Sequence, residues 1–128
     1  MFTQTAIYAL RAMAYLASED VEKPVLSQTI AREMNIPKNF LSKILNQLVR
    51  ANLVRSTRGT KGGFVLAKDP SEIKMIDVVT LFMDVGPYRK CLLGRDECNG
   101  DCRVHVKWGP IVEKIEDMLN TTRIDELL

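Results

Sequence analysis

Long apolar runs are missing from this chain. No uncharged stretch exceeds ten residues, Met1 to Leu10, which is too short to span a bilayer. No basic segment precedes that stretch and Arg11 ends it, so a secretory signal is not expected. Without one, the expected compartment is the reducing cytoplasm, where free thiols and metal thiolates persist. Histidine occurs once, as His105, which excludes centres built from several imidazoles. The segment Gly59-Thr60-Lys61-Gly62-Gly63 lacks the Gly-Lys-Ser/Thr ending of a phosphate-binding loop. Carboxylates are scattered, with no pairing that sequence identifies. Catalysis is therefore not expected.

What is present suits one soluble globular domain. The chain has 128 residues, 46% hydrophobic and 27% charged, enough for one core and too little for two. The net charge of +2 hides an asymmetry. Residues 32–68 carry eight basic groups against the single acid Glu33, a local charge of +7, and the remainder carries −5. Charge gathered in this way suits a polyanion surface, or else a solvated basic face.

Periodicity predicts a first helix over residues 3–18, with Phe2, Ala6, Leu10, Met13 and Ala17 on one side. Ser27 is the expected cap of a second helix ending at Met34. Asn35-Ile36-Pro37 forms a turn, and a third helix is expected from there to about Ala51. Its apolar stripe is Phe40, Leu41, Ile44, Leu45 and Leu48. Asn39, Ser42, Lys43, Asn46 and Arg50 form the opposite stripe, which holds donors and cations but no carboxylate. A face meeting phosphates requires that absence of acid. Two strands, Leu53 to Thr57 and Gly63 to Leu66, flank a glycine-rich tip carrying Arg58 and Lys61.

A fourth helix is expected from about Ser71 to Met83, with Ile73, Ile76, Val79, Leu81 and Phe82 largely buried. Residues 84–103 lack clear periodicity and read as a loop that holds or borders all three cysteines. The last pattern, Val104, Trp108, Ile111, Ile115 and Met118, is a heptad-like seam with Val112 and Leu119 beside it. It suits packing against a helix of a second subunit or of the same chain. Gly109-Pro110 is expected to kink or split it.

The fold class expected is mainly α with a small β-hairpin, a winged helix-turn-helix followed by a C-terminal dimerisation helix. Residues 1–83 form the DNA-binding part, with the helix-turn-helix at 27–51 and the wing at 53–66. Residues 84–103 are the cysteine-rich loop, and 104–128 the dimerisation helix and tail. In such a fold the second helix of the pair enters the major groove and the wing follows the backbone or minor groove. A guanidinium on a slender tip, Arg58 beside Gly59, can reach a narrow minor groove. A protein–protein module with a basic hairpin is the competing interpretation. Cys91, Cys98, Cys102 and His105 make a second constellation, with gaps of six, three and two residues. Three thiols and an imidazole can fill a zinc site or hold an iron–sulfur cluster. Free thiols and a disulfide redox switch remain open beside those.

Ile7-Tyr8-Ala9-Leu10-Arg11, Ile36 to Leu48, Ser56-Thr57-Arg58-Gly59, Gly62-Gly63-Phe64-Val65-Leu66 and the cysteine loop together resemble the Rrf-two family (IscR/NsrR-type) of bacterial transcription regulators. The resemblance covers nearly the whole chain. It implies a homodimer with a long C-terminal helix crossing to the partner, and control of promoters by iron–sulfur status, iron, redox state or nitric oxide. It places Lys38, Asn39, Ser42 and Lys43 on the recognition helix and Arg58 on the wing, beside Gly59 and Lys61. It assigns Cys91, Cys98 and Cys102 as cluster ligands and His105 as the fourth, with a two-iron cluster favoured and a four-iron one open. The family spaces its cysteines more evenly than this chain does. Pro37 stands where a serine cap is frequent, and Ile7 stands where one branch has a ligating carboxylate. The expected dimer contacts are Trp108, Ile111, Ile115 and Met118.

Overall fold

The computed structural model describes residues 2–18, 22–89, 91–95 and 102–128. Helix α1, Gln4–Ser18, is built on alanine and buries Ala6, Ala9, Ala12, Met13, Ala14 and Leu16. Small side chains let neighbouring backbones approach it closely. The Thr3 hydroxyl caps it by accepting the Ala6 amide at 3.1 Å. Helices α2, Ser27–Met34, and α3, Lys38–Arg50, meet at a tight turn in which Asn35 takes a left-handed conformation. That geometry lets the Ile36 amide donate back to the Ala31 carbonyl at 2.9 Å, closing the helix end.

Strands β1, Val54–Thr57, and β2, Gly63–Leu66, pair antiparallel, with Val54 opposite Leu66 and Thr57 opposite Gly63. Val25, just before α2, adds an antiparallel bridge to Phe64 through two bonds of 2.9 and 2.8 Å. The wing is thus anchored to the entrance of the helix-turn-helix. Helix α4 is Met75–Val79, and helix α5 is Arg103–Thr121. Among the described residues, no helix is long and apolar enough to cross a membrane.

The main core joins α1, α2, α3 and the wing around Met13, Ile30, Leu41, Ile44, Leu45, Leu48 and Val54. Ile73, Val78 and Ile124 extend it. A smaller cluster of Met75, Val79 and Leu119 fastens α5 to α4. The mainly helical architecture with one hairpin agrees with the sequence expectation.

Five details differ from that expectation. Ser27 is the first residue of α2 and not its cap; Leu26 holds the cap position and no side chain caps the helix. The fourth helix is shorter than 71–83, because the Asp69 carboxylate captures the Ser71 amide and hydroxyl and a 3-10 turn, Pro70–Glu72, forms first. The Ser71 hydroxyl, then its amide, holds that carboxyl below its ordinary pKa. Leu81 is exposed, since it lies beyond the end of α4. Phe40 does not join the apolar stripe of α3 and is 49% exposed. Of the kink or split expected at Gly109-Pro110, the split does not occur: α5 continues through Pro110. Proline removes one backbone donor there, and the carbonyl it would have met belongs to the exposed Val106.

Candidate nucleic-acid interface and cysteine loop

Helix α3 divides cleanly. Leu41, Ile44, Leu45 and Leu48 are buried, and Lys38, Asn39, Ser42, Lys43, Asn46, Gln47 and Arg50 are exposed. Amphipathic spacing forces this division: once the leucine face is in the core, the donors must face out. Ser42 already donates its hydroxyl to the Lys38 carbonyl at 3.1 Å, so it meets any ligand chiefly as an acceptor. Among the described residues, no ion pair involves Lys38, Lys43, Arg50, Arg55, Arg58 or Lys61. These cations are held by no carboxylate and are available to a polyanion.

The wing tip supplies the second part. Arg58, Gly59, Thr60 and Lys61 are exposed. Gly59 has φ +106°, and the Gly62 amide closes the tip by donating to the Gly59 carbonyl at 2.9 Å. Gly62 sits where a Cβ would stand 2.6 Å from the Thr57 carbonyl oxygen. A side chain there would prise the tip open, so the glycine keeps it slender. All the expected DNA-contacting residues are therefore exposed, on α3 or on the wing tip that follows it.

The cysteine region is less assembled. A 3-10 turn, Gly86–Arg89, precedes a second turn in which the Gly94 amide donates to the Cys91 carbonyl at 3.0 Å. Cys91 and Cys102 are both half-buried, and Cys102 is a free thiol. Cys98 lies outside the described residues. Cys102 caps α5: its Sγ accepts the His105 backbone amide at 3.2 Å. The His105 ring extends along α5, its Nε2 3.4 Å from the place of a Cβ on Gly109. Among the described residues, no three histidine, cysteine or acidic side chains are gathered as a metal site. In kind the donors fit a cluster, since cysteine sulfurs are its ordinary ligands and imidazole replaces them in some centres.

Helix α5 turns Val112 and Leu119 inward. The expected seam lies beside that buried line: Ile111 and Met118 are 47% and 40% exposed, and Trp108 and Ile115 are half-buried. A groove of about 620 Å³ lies along the first half of α5, lined by Leu92, Arg103, Val104, Val106, Lys107, Trp108 and Ile111. The Trp108 indole nitrogen is buried and has no acceptor among the described residues. Sequence reasoning missed Phe40. Its place one residue before Leu41 gave it an apolar reading, and only its exposure marks it as part of the outward face.

Comparison with known proteins gives a consistent set of relatives. The sequence model of the Rrf2 family, described as iron-dependent transcriptional regulator, matches residues 2–128. A protein of Aquifex aeolicus (strain VF5), described as an HTH-type transcriptional regulator, is 37% identical over all of this chain and 91% of its own length. The HTH-type transcriptional regulator IscR of Pectobacterium atrosepticum is 31% identical over 98% of this chain and 77% of its own. Among solved structures, CymR (YrzC), the global cysteine regulator of B. subtilis, superposes with TM-score 0.83 at 27% identity, covering 99% of this chain and 95% of CymR.

Proposed function

Since the chain belongs to the Rrf2 family of transcriptional regulators, which are not enzymes, we propose that it reads a pseudo-palindromic operator as a homodimer. Helix α3 enters the major groove, with Lys38, Asn39, Ser42 and Lys43 nearest the bases. Arg58, flanked by Gly59 and Lys61, follows the neighbouring minor groove or backbone. The observation that carries this reading is the exposed, acid-free face of α3 beside a wing tip whose cations meet no carboxylate among the described residues. A helix facing only solvent would mix both signs.

The dimer forms through Trp108, Ile111, Ile115 and Met118 on α5. A stripe of this kind beside a groove is the usual mark of a protein partner. The two copies then present two α3 helices to successive half-sites.

The sensing element is an iron–sulfur cluster held by Cys91, Cys98, Cys102 and His105, two-iron in preference to four-iron. The cluster, when bound, supplies a group whose presence and charge respond to iron, oxygen or nitric oxide. The chain's own contribution is coupling. Cys102 would be both a ligand and the cap of α5, so binding the group would act directly on the start of the dimerisation helix. A coupling of about 1–3 kcal/mol suffices to change DNA affinity from several-fold to about a hundredfold.

A cluster-free thiol regulator is the second reading. It is favoured by the likeness to a cysteine regulator. Absorbance together with iron and sulfide analysis of protein purified without oxygen separates the two. Visible charge-transfer bands are expected, and Cys98→Ala should lose them and bind DNA as the apo protein does. A colourless, iron-free parent would leave the thiol reading.

DNA binding is tested by affinity across genomic fragments at several salt concentrations, on both apo and loaded protein. Arg58→Ala should weaken binding most at A·T-rich minor grooves. Lys43→Ala should weaken it either uniformly or at one base position. Loss of one phosphate contact should lower the salt slope by about one. If neither form prefers any fragment, the operator reading is wrong.

A further inference from the structure

Phe40 is the anomaly of the DNA-facing surface. It lies in the first turn of α3 between Asn39 and Leu41, and 49% of it is exposed. Single exposed apolar residues are common on proteins and ordinarily mean little. This one differs in two ways. Its ring is not a loose flap: it lies against Tyr8 of α1, centroids 6.3 Å apart and planes at 46°. Tyr8 in turn carries the Arg11 guanidinium 5.7 Å from its ring centre. The aromatic pair ties the start of α3 to α1 and holds Phe40 in one place. The second difference is its company. Asn39 and Lys43 are exposed beside it, one residue before and three after, on a helix whose outward groups are donors and cations.

A rigid apolar knob among donors, at the end of a helix whose first residues meet base edges, has one counterpart in duplex DNA. The major groove offers a single apolar group, the thymine C5-methyl. Hydrogen-bonding side chains identify guanine and adenine, and an apolar surface distinguishes thymine from the other bases. We propose that Phe40 is a specificity-determining residue that reads a thymine methyl in each half-site, with Tyr8 as its positioning residue. This rests on the operator-binding reading above. The contact is absent wherever the methyl is absent, so it discriminates without any hydrogen bond of its own.

The test starts from duplexes that the full-length chain selects out of a random-sequence pool. Each thymidine of the selected site is then replaced singly by deoxyuridine, which keeps base pairing and removes only the methyl. At least one position per half-site should bind the parent protein roughly fourfold more weakly, the loss expected for one buried methyl-sized group. Phe40→Ala should bind the thymidine and deoxyuridine forms of that position equally, and keep the parent's response elsewhere. If no position responds in the parent, or Phe40→Ala responds as the parent does, the proposal for Phe40 falls and operator binding stands. If the parent selects no sequence at all, both fall. A Phe40→Ala change that alters sedimentation and leaves the deoxyuridine profile intact would assign the ring to a protein contact and overturn the proposal. The parent scan needs no variant, so a folding defect in Phe40→Ala cannot mask the result.

Discussion

Gly63→Val is expected to melt on the order of 10 °C below the parent, corresponding to a few kcal/mol in a domain of this size. Two causes combine. Gly63 has φ +149°, which strains any residue with a Cβ, by about 1–3 kcal/mol. A Cβ at this position would also stand 2.5 Å from the Val25 carbonyl oxygen and 2.7 Å from its carbon. Those atoms are backbone and belong to the bridge that pins β2 to the entrance of α2, so they cannot yield without breaking it. Because that bridge sets where Arg58 stands relative to α3, DNA affinity should fall further than stability alone explains. Gly59→Ala is the control: φ is +106° there, but no atom lies within 4 Å of the added Cβ, so only the conformational strain remains. Thermal melts of the three proteins, with DNA titrations, check this. A Gly63→Val protein that melts and binds like the parent would show that the Val25–Phe64 bridge anchors nothing.

Ile115→Glu is expected to yield monomers, or aggregates of protein that can no longer pair. Ile115 is half-buried against the cluster of Met75, Val79 and Leu119, with Ile111 and Met118 exposed on either side along α5. A carboxylate placed there must be dehydrated for two copies to meet. Joining two half-site readers in one molecule raises affinity by about 10²–10⁴ over one reader alone, and that gain should disappear. Affinity for an isolated half-site should barely change, because α3 and the wing are untouched. Sedimentation of parent and variant, with titrations of single and paired half-sites, checks this. A parent that sediments as a monomer, or a variant that still dimerises, would place the contact elsewhere.

The segments best anticipated are those whose signals are local. Helix α3 and both strands begin and end within a residue or two of expectation, since Pro37 fixes its own φ just ahead of α3, and Asn52 and Gly63 tolerate the positive φ their positions require. The acid-free face of α3 is legible for the same reason: four buried aliphatics at helical spacing decide where the polar residues must go. The helix boundaries around residues 69–83 were less legible. Asp69 and Ser71 compete with helix formation through their own hydrogen bonds, and sequence periodicity does not register that competition.

The sequence by itself determined the helix-turn-helix and wing, the basic asymmetry, and the gathering of three cysteines just ahead of one amphipathic helix. Those follow from residue spacing and local backbone chemistry. Tertiary structure alone decided which of several apolar residues are covered. Helix α5 has more apolar residues than one face can bury: Leu119 is covered against α4 and Val112 is buried too, leaving Ile111 and Met118 outside. Helix α3 has five apolar residues in its stripe, and the core closes over four of them, leaving Phe40 against Tyr8 at the surface. Hydrophobicity gives a residue a reason to be buried, but only the shape and position of the neighbouring elements determine whether there is anything to bury it against.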